Sequence, residues 1–456
     1  MKYMTLQAMA EACHGVYIGN PEDIKKEAIS ITTDSRKAEQ GGVFAAIKGE
    51  RVDGHDFIPG VLEAGALCVI SEKQPVTEKG NYIIVEDTVR ALGAIAGYYR
   101  KQLAIPVVGI TGSVGKTSTK EMVASVLSQK YRTLKTAGNF NNNLGLPLTI
   151  FRLTEEDEIA VLEMGISHFG EMHELAEIAK PDTCVITNIG QCHLEFLGDR
   201  DGVLRAKSEI FDFLPEDGHI ILNGEDDKLS AIQEVKGIRP VFFGFEKEDG
   251  IWADHVQAQG LNGISCRIHT PQGSFEVKIP IPGLHMVLNA LAGTAVGLQY
   301  GLTLRQIQDG IESLQPVAGR FHIVQTDDYT IIDDCYNANP VSMKSSLLVL
   351  ADALGRKVAI LGDMGELGAK EQELHREVGS YAASLDIDRF FVVGPLAKNI
   401  ADGILAEYPN ADVVCYDSLQ EILHDLDGQL QKGDTILVKA SHFMHFEKLV
   451  EQLTGK

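Results

Sequence analysis

The sequence predicts an α/β protein of three domains, and three observations support this prediction. The chain has 456 residues, too many for one ordinary hydrophobic core. Short apolar segments alternate with amphipathic ones along most of the chain, which is typical of sheets covered by helices. A glycine-rich turn joins a strand-like segment to a helix-like one at residues 107–130. We expect domains at residues 1–100, 101–315 and 316–456.

The first hundred residues predict a small α/β domain. An amphipathic helix follows the N-terminus, and apolar segments bounded by turn residues indicate short strands. These strands are expected at residues 29–33, within 41–49, at 67–71 and at 82–85. Ser35 and Arg36 directly follow the first strand, and on the residues alone they predict a solvated strand end.

The second domain predicts a doubly wound, mostly parallel sheet. Apolar strand segments alternate with helical ones there, as in other sheets of this class. The expected strands are 106–110, 159–164, 183–188, 219–222 and 240–244. Residues 264–268 and 274–279 alternate around a Pro-Gln-Gly turn, which predicts an appended antiparallel hairpin. A long helix is expected at residues 284–300.

The third domain predicts a Rossmann-like α/β unit. Five apolar strand segments are separated by helical intervals, with a helix expected at residues 371–384. The strands are expected at 329–333, 357–362, 389–393, 411–416 and 434–439.

Composition restricts the partners and the compartment. Lysine and arginine number 41 against 64 aspartates and glutamates, a formal net charge of −23, so we expect neither nucleic acid nor an anionic membrane as partner. No apolar segment approaches the roughly 20 residues of a membrane span, and the N-terminus lacks the apolar core of a signal peptide. The seven cysteines form no C-x-x-C pair. We expect a cytoplasmic protein with reduced thiols.

The glycine-rich turn predicts a binding site for a nucleoside triphosphate. Gly112 and Gly115 allow backbone amides to approach phosphate oxygens, and the helix that follows, expected at residues 120–130, adds its positive N-terminal dipole. Lys116 is placed to reach the β- and γ-phosphates, and the Thr117 hydroxyl is placed to bind Mg²⁺. The match to the general P-loop pattern is imperfect, because Ile110 stands five residues before Gly115. The alternative is a chance glycine-rich strand–helix turn.

Polar residues after neighbouring strands predict a metal or catalytic site on the same edge of the sheet. Glu163 ends one expected strand and His193 lies just past another, and we expect the carboxyl ends of these strands to meet at one edge. The alternatives are an acidic strand end and a structural histidine. Lys207, on the residues alone, is an ordinary helix lysine. Arg320 and the acidic pair Asp333-Asp334 flank the first strand of the third domain, where we expect them to meet ribose and phosphates across a cleft.

These motifs, in this order, resemble the ATP-dependent Mur ligases of peptidoglycan synthesis over essentially the whole chain. Three segments beyond the P-loop carry the resemblance. They are the asparagine-rich segment Asn139–Pro147, the Leu-Gly-Asp-Met-Gly-Glu-Leu segment at 361–367 and the Asp-Cys-Tyr-Asn-Ala-Asn-Pro segment at 334–340. The last segment is similar to the corresponding segment of the family members that add D-alanyl-D-alanine. It differs from the Asp-Tyr-Ala-His-Thr-Pro segment of the members that add the preceding, third residue.

The resemblance implies roles for individual residues. The ATP contacts are Gly112, Ser113, Gly115, Lys116, Thr117, Ser118, Asn289 for adenine, and Arg320 and Asp334 for phosphate and ribose. The metal ligands are Thr117, Glu163, His193 and a carbamylated Lys207, the last three serving catalysis together with Lys116. The acceptor substrate contacts are Ser35, Arg36, Lys48, Asn139 and Asn143. Two positions depart from the pattern of the family: Val114 stands where asparagine is common, and His442 stands where arginine is common.

The activity implied by the resemblance is the joining of D-Ala-D-Ala to UDP-MurNAc-tripeptide through an acyl phosphate, with ATP and Mg²⁺. Separately, we expect a monomer. Three alternatives remain at this point. One is another amide ligase of the same family, including a folate-glutamate ligase. A second is a GTPase-type switch, against which the lack of an Asn-Lys-x-Asp motif speaks. The third is a nucleotide-binding module without catalysis.

Overall fold

The structure is a computed structural model that describes residues 1–49, 51–75, 79–246 and 250–455. The described residues form two compact units. The first unit comprises Met1–Thr111, Tyr131–Cys184 and Ser208–His219. The second unit comprises Gly112–Lys130, Val185–Lys207 and Ile220–Lys456, of which Lys456 itself is not described. In the part of the chain that the structure describes, no helix is both long and apolar enough to cross a membrane.

The N-terminal residues of the first unit form a small α/β sheet, as predicted. Its elements are α1 (Leu6–Ala12), β1 (Val16–Ile18), β2 (Ile31–Thr32), β3 (Val43–Ala45), α2 (Ile58–Glu63), β4 (Cys68–Ser71), β5 (Tyr82–Ile84) and α3 (Thr88–Leu103). The strand order is β1-β5-β4-β3-β2, with β1 antiparallel and the other neighbours parallel. The edge strand β1 was not predicted, because its three residues are too few to show a period.

The middle of the chain alternates strand and helix, as predicted. Its elements are β6 (Val107–Thr111), α4 (Lys116–Leu127), β7 (Thr133–Lys135), α5 (Gly145–Ile150), β8 (Ile159–Glu163), α6 (Glu171–Ala179), β9 (Thr183–Ile186), α7 (Leu194–Leu197), α8 (Arg200–Ser208), β10 (His219–Asn223), β11 (Val241–Gly244), β12 (Ile251–Ala258), β13 (Ile264–Thr270), β14 (Gly273–Ile279), α9 (Leu284–Gln299) and α10 (Leu304–Glu312).

In the first unit, β6 and β7 both pair in parallel with β8. Every residue of β6 and β8 is buried, as expected for parallel strands that are covered on both faces. In the second unit, β10, β11 and β12 are parallel neighbours. Both patterns confirm the predicted mostly parallel fold.

The predicted hairpin is confirmed as β13 and β14, but it belongs to a larger antiparallel arrangement. Strand β12 pairs antiparallel with β13, and its register shifts between Asp254 and Gln257. This irregularity breaks the alternation of buried and exposed residues, which explains why the sequence did not predict β12. The helix after the phosphate loop also begins earlier than expected, at Lys116 rather than at residue 120. Gly115, with φ +78°, caps it, so the threonine-rich segment forms its first turn.

The C-terminal residues of the second unit form the predicted Rossmann-like sheet. Its elements are β15 (His322–Gln325), β16 (Thr330–Asp333), α11 (Pro340–Ala351), β17 (Lys357–Gly362), α12 (Glu371–Ala383), β18 (Arg389–Val393), α13 (Lys398–Glu407), β19 (Val413–Tyr416), α14 (Leu419–Asp425), β20 (Thr435–Lys439) and α15 (Glu447–Thr454). The order is β15-β16-β20-β17-β18-β19, and only the unpredicted β15 is antiparallel among these described strands. The carboxyl ends of β16, β17 and β20 therefore share one edge.

Helices α12 and α13 pack so closely that one glycine substitution should destabilise the C-terminal domain. A Cβ atom at Gly379 would lie 2.0 Å from the Ile400 carbonyl oxygen, a backbone atom that cannot turn away. We expect Gly379→Ala to lower the free energy of unfolding by about 1–3 kcal/mol, measured as a lower melting temperature. Gly428→Ala is the control, because no described atom lies within 4 Å of its added Cβ. An unchanged melting temperature for Gly379→Ala would contradict this packing.

Candidate active site

The phosphate loop connects β6 to α4 and depends on two glycine conformations. Gly112 has φ +151° and Gly115 has φ +78°, values that favour glycine. A Cβ atom at Gly112 would also lie 1.9 Å from the Thr187 hydroxyl oxygen. The loop therefore requires glycine at position 112 for both its backbone angle and its packing.

The segment that follows β9 holds this loop in shape. The Ser113 amide donates to the Asn188 carbonyl oxygen at 3.0 Å, and the Val114 amide donates to Asn188 Oδ1 at 3.0 Å. Thr187 Oγ1 donates to the Val114 carbonyl oxygen at 2.6 Å, and the Gly190 amide donates to Ser113 Oγ at 2.8 Å. Two loop amides are thus used inside the protein. The phosphate donors must therefore come mainly from the first turn of α4, whose amides have no acceptor within the helix.

The predicted phosphate-binding side chains lie on that first turn. Lys116 Nζ folds back over the loop and donates to the Gly112 carbonyl oxygen at 2.9 Å. Thr117 is buried, and Ser118 is half-buried beside it. One turn further on, Thr119 Oγ1 donates to Oδ1 of the buried Asn289 in α9 at 2.9 Å. This bond attaches the predicted adenine contact to the helix that carries the phosphate-binding residues.

Lys207 is the most unusual residue of the site, and the sequence alone gave no reason to select it. Its side chain in α8 is fully buried, and among the described residues its Nζ has no hydrogen-bond partner. The pKa of this lysine is lowered to about 8, mainly by burial; Cys192 acts in the opposite direction, and the positive charge of Lys116 acts in the same direction as burial. An unpaired buried ammonium is costly, so the pKa of this amine is lower than that of an exposed lysine.

His193 lies at the N-terminus of α7 with φ +51°. Its Nδ1 lies 2.8 Å from Oε2 of Glu366, which belongs to the segment after β17. The same segment approaches α7 at a second point, since the ideal Cβ position of Gly368 is 3.6 Å from the Glu195 amide nitrogen. The C-terminal sheet edge is therefore in contact with the predicted metal ligand within the second unit.

Arg320 and Asp334 also lie in the second unit, at the start of the C-terminal domain. The Arg320 guanidinium carbon is 3.9 Å from the centroid of the Tyr336 ring. Asp334 Oδ2 accepts from Lys439 Nζ at 2.5 Å and from Ser346 Oγ at 2.7 Å. Asp334 is thus already engaged as a structural acceptor, which its position in the sequence did not reveal.

The remaining predicted residues lie in the first unit. Glu163 is buried at the end of β8, and its Oε1 accepts from Asn141 Nδ2 at 2.8 Å. Strand register places Glu163 beside Ile110, two residues before Gly112 in the chain. The sequence did not predict this contact of Asn141; Asn139 and Asn143, the predicted substrate residues of the same segment, are exposed.

The three predicted N-terminal substrate residues are at the surface or close to it. Ser35 begins a single 3₁₀ turn, and Arg36 forms a paired contact with Asp34, Nε to Oδ1 at 2.8 Å and Nη2 to Oδ2 at 2.9 Å. This pair lowers the pKa of Asp34 to about 2. Lys48 is exposed, and its backbone forms an isolated antiparallel β-bridge with the backbone of Asp53.

A metal ion at the predicted site would need ligands other than a cluster of acidic side chains. Within the described ranges, no group of three or more His, Cys, Asp or Glu side chains is placed to hold a metal ion. Mg²⁺ commonly uses one or two carboxylates together with substrate phosphates and water. The buried Glu163 carboxylate of the first unit is a ligand type that suits this mode of binding, and so is the Thr117 hydroxyl of the second unit.

Gly112→Ala should weaken nucleotide binding without unfolding the chain. The added Cβ would collide with Thr187 and leave an alanine at φ +151°, so the loop must move. Backbone strain of this kind costs about 1–3 kcal/mol, so we expect ATP affinity, measured by titration calorimetry, to fall at least about tenfold. Gly170→Ala is the matched control, a glycine with φ +83° that also caps a helix but lies outside the loop. Equal affinity in Gly112→Ala and wild type would contradict the assigned loop geometry.

Comparison with protein-family models gives three matches that cover most of the chain in order. Residues 28–111 match the "Mur ligase family, catalytic domain", residues 110–297 the "Mur ligase middle domain", and residues 319–442 the "Mur ligase, glutamate ligase domain". The phosphate loop, Lys207 and Asn289 all fall in the second match.

Individual relatives match over nearly their whole length. The UDP-N-acetylmuramoyl-tripeptide–D-alanyl-D-alanine ligase of Bacillus subtilis is 38% identical, over 98% of both chains. A crystal structure of MurF from Acinetobacter baumannii has a TM-score of 0.90 at 35% identity and covers 99% of both chains. The MurF ligase of Thermotoga maritima, solved in complex with ADP, has a TM-score of 0.82 at 32% identity and covers 93% of this chain and 97% of its own. The chain therefore belongs to the Mur ligase family.

Proposed function

We propose that this chain is the ATP-dependent ligase that joins D-Ala-D-Ala to UDP-MurNAc-tripeptide. The observation that carries the proposal is the similarity over 98% of both chains to a ligase of that name, together with a well-formed phosphate loop. The Asp-Cys-Tyr-Asn-Ala-Asn-Pro segment agrees with this member of the family rather than with a folate-glutamate ligase.

We assign the three predicted domains to three tasks. Residues 1–100 bind the UDP part of the acceptor, 101–315 bind ATP, and 316–456 complete the site for ligation. The order of the three family matches supports this division. Ser35, Arg36 and Lys48 are the proposed UDP contacts, and Asn139 and Asn143 are proposed to face the peptide part. All five are at the surface or half-buried, as a binding surface requires.

ATP is a substrate of the proposed reaction, and the loop region supplies its contacts. Gly112, Ser113 and Gly115 shape the cradle, and Lys116, Thr117 and Ser118 line the first turn of α4. Asn289 is the proposed adenine contact, and Arg320 the phosphate contact. Asp334 already accepts three hydrogen bonds, from Lys439, Ser346 and the Phe321 amide. A carboxylate has about four acceptor positions, so one remains for a ribose hydroxyl.

We assign Mg²⁺ binding to Thr117, Glu163, His193 and Lys207. When bound, Mg²⁺ neutralises oxygens of the triphosphate and of the developing acyl phosphate. Lys207 takes part as a carbamate, formed when its neutral amine attacks CO₂ and releases one proton. Its complete burial, its unpaired Nζ and its pKa of about 8 favour this modification.

The chain's own residues then hold the reactants for acyl-phosphate formation. The tripeptide carboxylate attacks the γ-phosphorus of ATP, which releases ADP and gives the acyl phosphate. The amine of D-Ala-D-Ala then attacks the acyl phosphate, which releases phosphate and gives the amide. Lys116 and Arg320 stabilise the negative charge that moves between these oxygens. The C-terminal domain excludes water, which would otherwise hydrolyse the acyl phosphate. We further propose that the protein acts as a monomer in the cytoplasm and needs no nucleic acid or membrane.

Lys116→Ala should lower kcat at least about 100-fold, because the residue neutralises transferring phosphoryl oxygens. The assay is phosphate release from ATP with UDP-MurNAc-tripeptide, with and without D-Ala-D-Ala and with GTP in place of ATP. Lys101→Ala, an exposed lysine at the end of α3, is the control and should be unchanged. Release that is independent of D-Ala-D-Ala, or supported equally by GTP, would refute the proposed function.

Lys207 should carry a carbamate whose occupancy rises with pH. Its amine is neutral above its pKa of about 8, so a carbamate carbon signal from ¹³C-bicarbonate should grow through that pH and weaken below it. Lys207→Met should show no such signal, and short carboxylic acids should restore part of the activity of Lys207→Ala. The same signal in Lys207→Met, or full activity of Lys207→Ala without rescue, would exclude the carbamate.

A further inference from the structure

We propose that Tyr336 is a positioning residue whose ring fixes the direction of the Arg320 guanidinium toward the triphosphate. This inference rests on the proposed function, which assigns Arg320 to phosphate. It adds a role for an aromatic residue that contacts this arginine.

The contact between the two side chains is close. The guanidinium carbon lies 3.9 Å from the ring centroid, well within the roughly 6 Å limit of a cation–π interaction. Arg320 is half-buried, so water competes less with the ring than at an exposed site. A planar guanidinium can stack on an aromatic face, and this restricts the orientation of its donors.

The backbones that carry the two residues are also joined. The Tyr336 amide donates to the Gly319 carbonyl oxygen at 3.1 Å. Gly319 has φ +72°, and a Cβ atom there would lie 3.2 Å from the Tyr336 Cβ. The Gly319 amide donates in turn to Asp333 Oδ2 at 2.8 Å. The turn before Arg320 is therefore packed directly against the tyrosine.

The residue after Arg320 is held from the same segment. The Phe321 amide donates to Asp334 Oδ1 at 3.2 Å, and the other oxygen of Asp334 accepts from the buried Lys439 at 2.5 Å. Lys439 Nζ also donates to the Asn337 carbonyl oxygen at 3.1 Å, one residue beyond Tyr336. With the backbone fixed on both sides of Arg320, its long side chain is the remaining source of freedom, and the ring restricts that freedom.

The ring itself is held by a second neighbour. The His442 ring lies with its centroid 5.2 Å from that of Tyr336, tilted by 32°. His442 follows β20. The tyrosine thus connects the edge of the C-terminal sheet to Arg320.

The test compares two substitutions at one position. Tyr336→Phe keeps an aromatic face and should leave kcat/KM for ATP within about twofold, whereas Tyr336→Leu should lower it about tenfold. KM for D-Ala-D-Ala and the melting temperature should stay unchanged in both variants, which a general loss of structure would not allow. In an Arg320→Ala background, Tyr336→Leu should cause no further loss, because the ring acts only through the arginine.

Tyr381→Leu is the matched control, since that ring lies under Lys344 Nζ at 5.8 Å in the same domain. It should not change kcat/KM for ATP. Equal losses from Tyr336→Leu in the wild-type and Arg320→Ala backgrounds would overturn the inference, as would wild-type kinetics in Tyr336→Leu.

A second measurement does not depend on ligase activity. The Arg320 Nε–H resonance of unliganded protein should carry a ring-current shift that Tyr336→Phe keeps and Tyr336→Leu removes. Its absence in the wild type would overturn the inference by itself. Failure of the proposed function would instead appear as wild-type protein that shows this shift but forms no amide.

Discussion

The active site depends on the hydrogen bonds that hold residues 112–114 against residues 187–190. Asn188 accepts from two consecutive loop amides, and Thr187 fixes the Val114 carbonyl oxygen. These bonds set the loop conformation before any nucleotide binds. Ordering the loop therefore does not weaken nucleotide binding. They also explain why Val114 can replace an asparagine, since the contacts at this position come from its backbone.

The same unit supplies two features that turn a nucleotide site into a ligase site. Burial lowers the pKa of the Lys207 amine, and the charge of Lys116 acts in the same direction, which favours the proposed conversion of this amine into a carbamate. The C-terminal sheet edge contributes Glu366, which contacts His193, and the turn that presents Arg320. The proposed phosphate binding, metal binding and charge stabilisation thus depend on segments that are far apart in sequence.

Much of the fold could be predicted because the strands are apolar and the turns are rich in glycine. Strands 357–362 and 389–393 were predicted to the residue, since they are buried on both faces. The short β1 and the irregular β12 were missed, because neither shows a clear period. Among site residues, Gly112, Lys116 and Thr117 follow from a local motif. Asn188, Asn141 and Tyr336 do not, because their roles depend on contacts with residues distant in the chain.

The central claim is that this site activates a carboxylate by transferring phosphate to it. The most direct test uses UDP-MurNAc-tripeptide labelled with oxygen-18 in its terminal carboxylate, together with ATP and D-Ala-D-Ala. Mass spectrometry of the released phosphate should then show one labelled oxygen per turnover, because the acyl phosphate breaks at its carbon–oxygen bond. Phosphate without label, released in step with amide formation, would contradict the account.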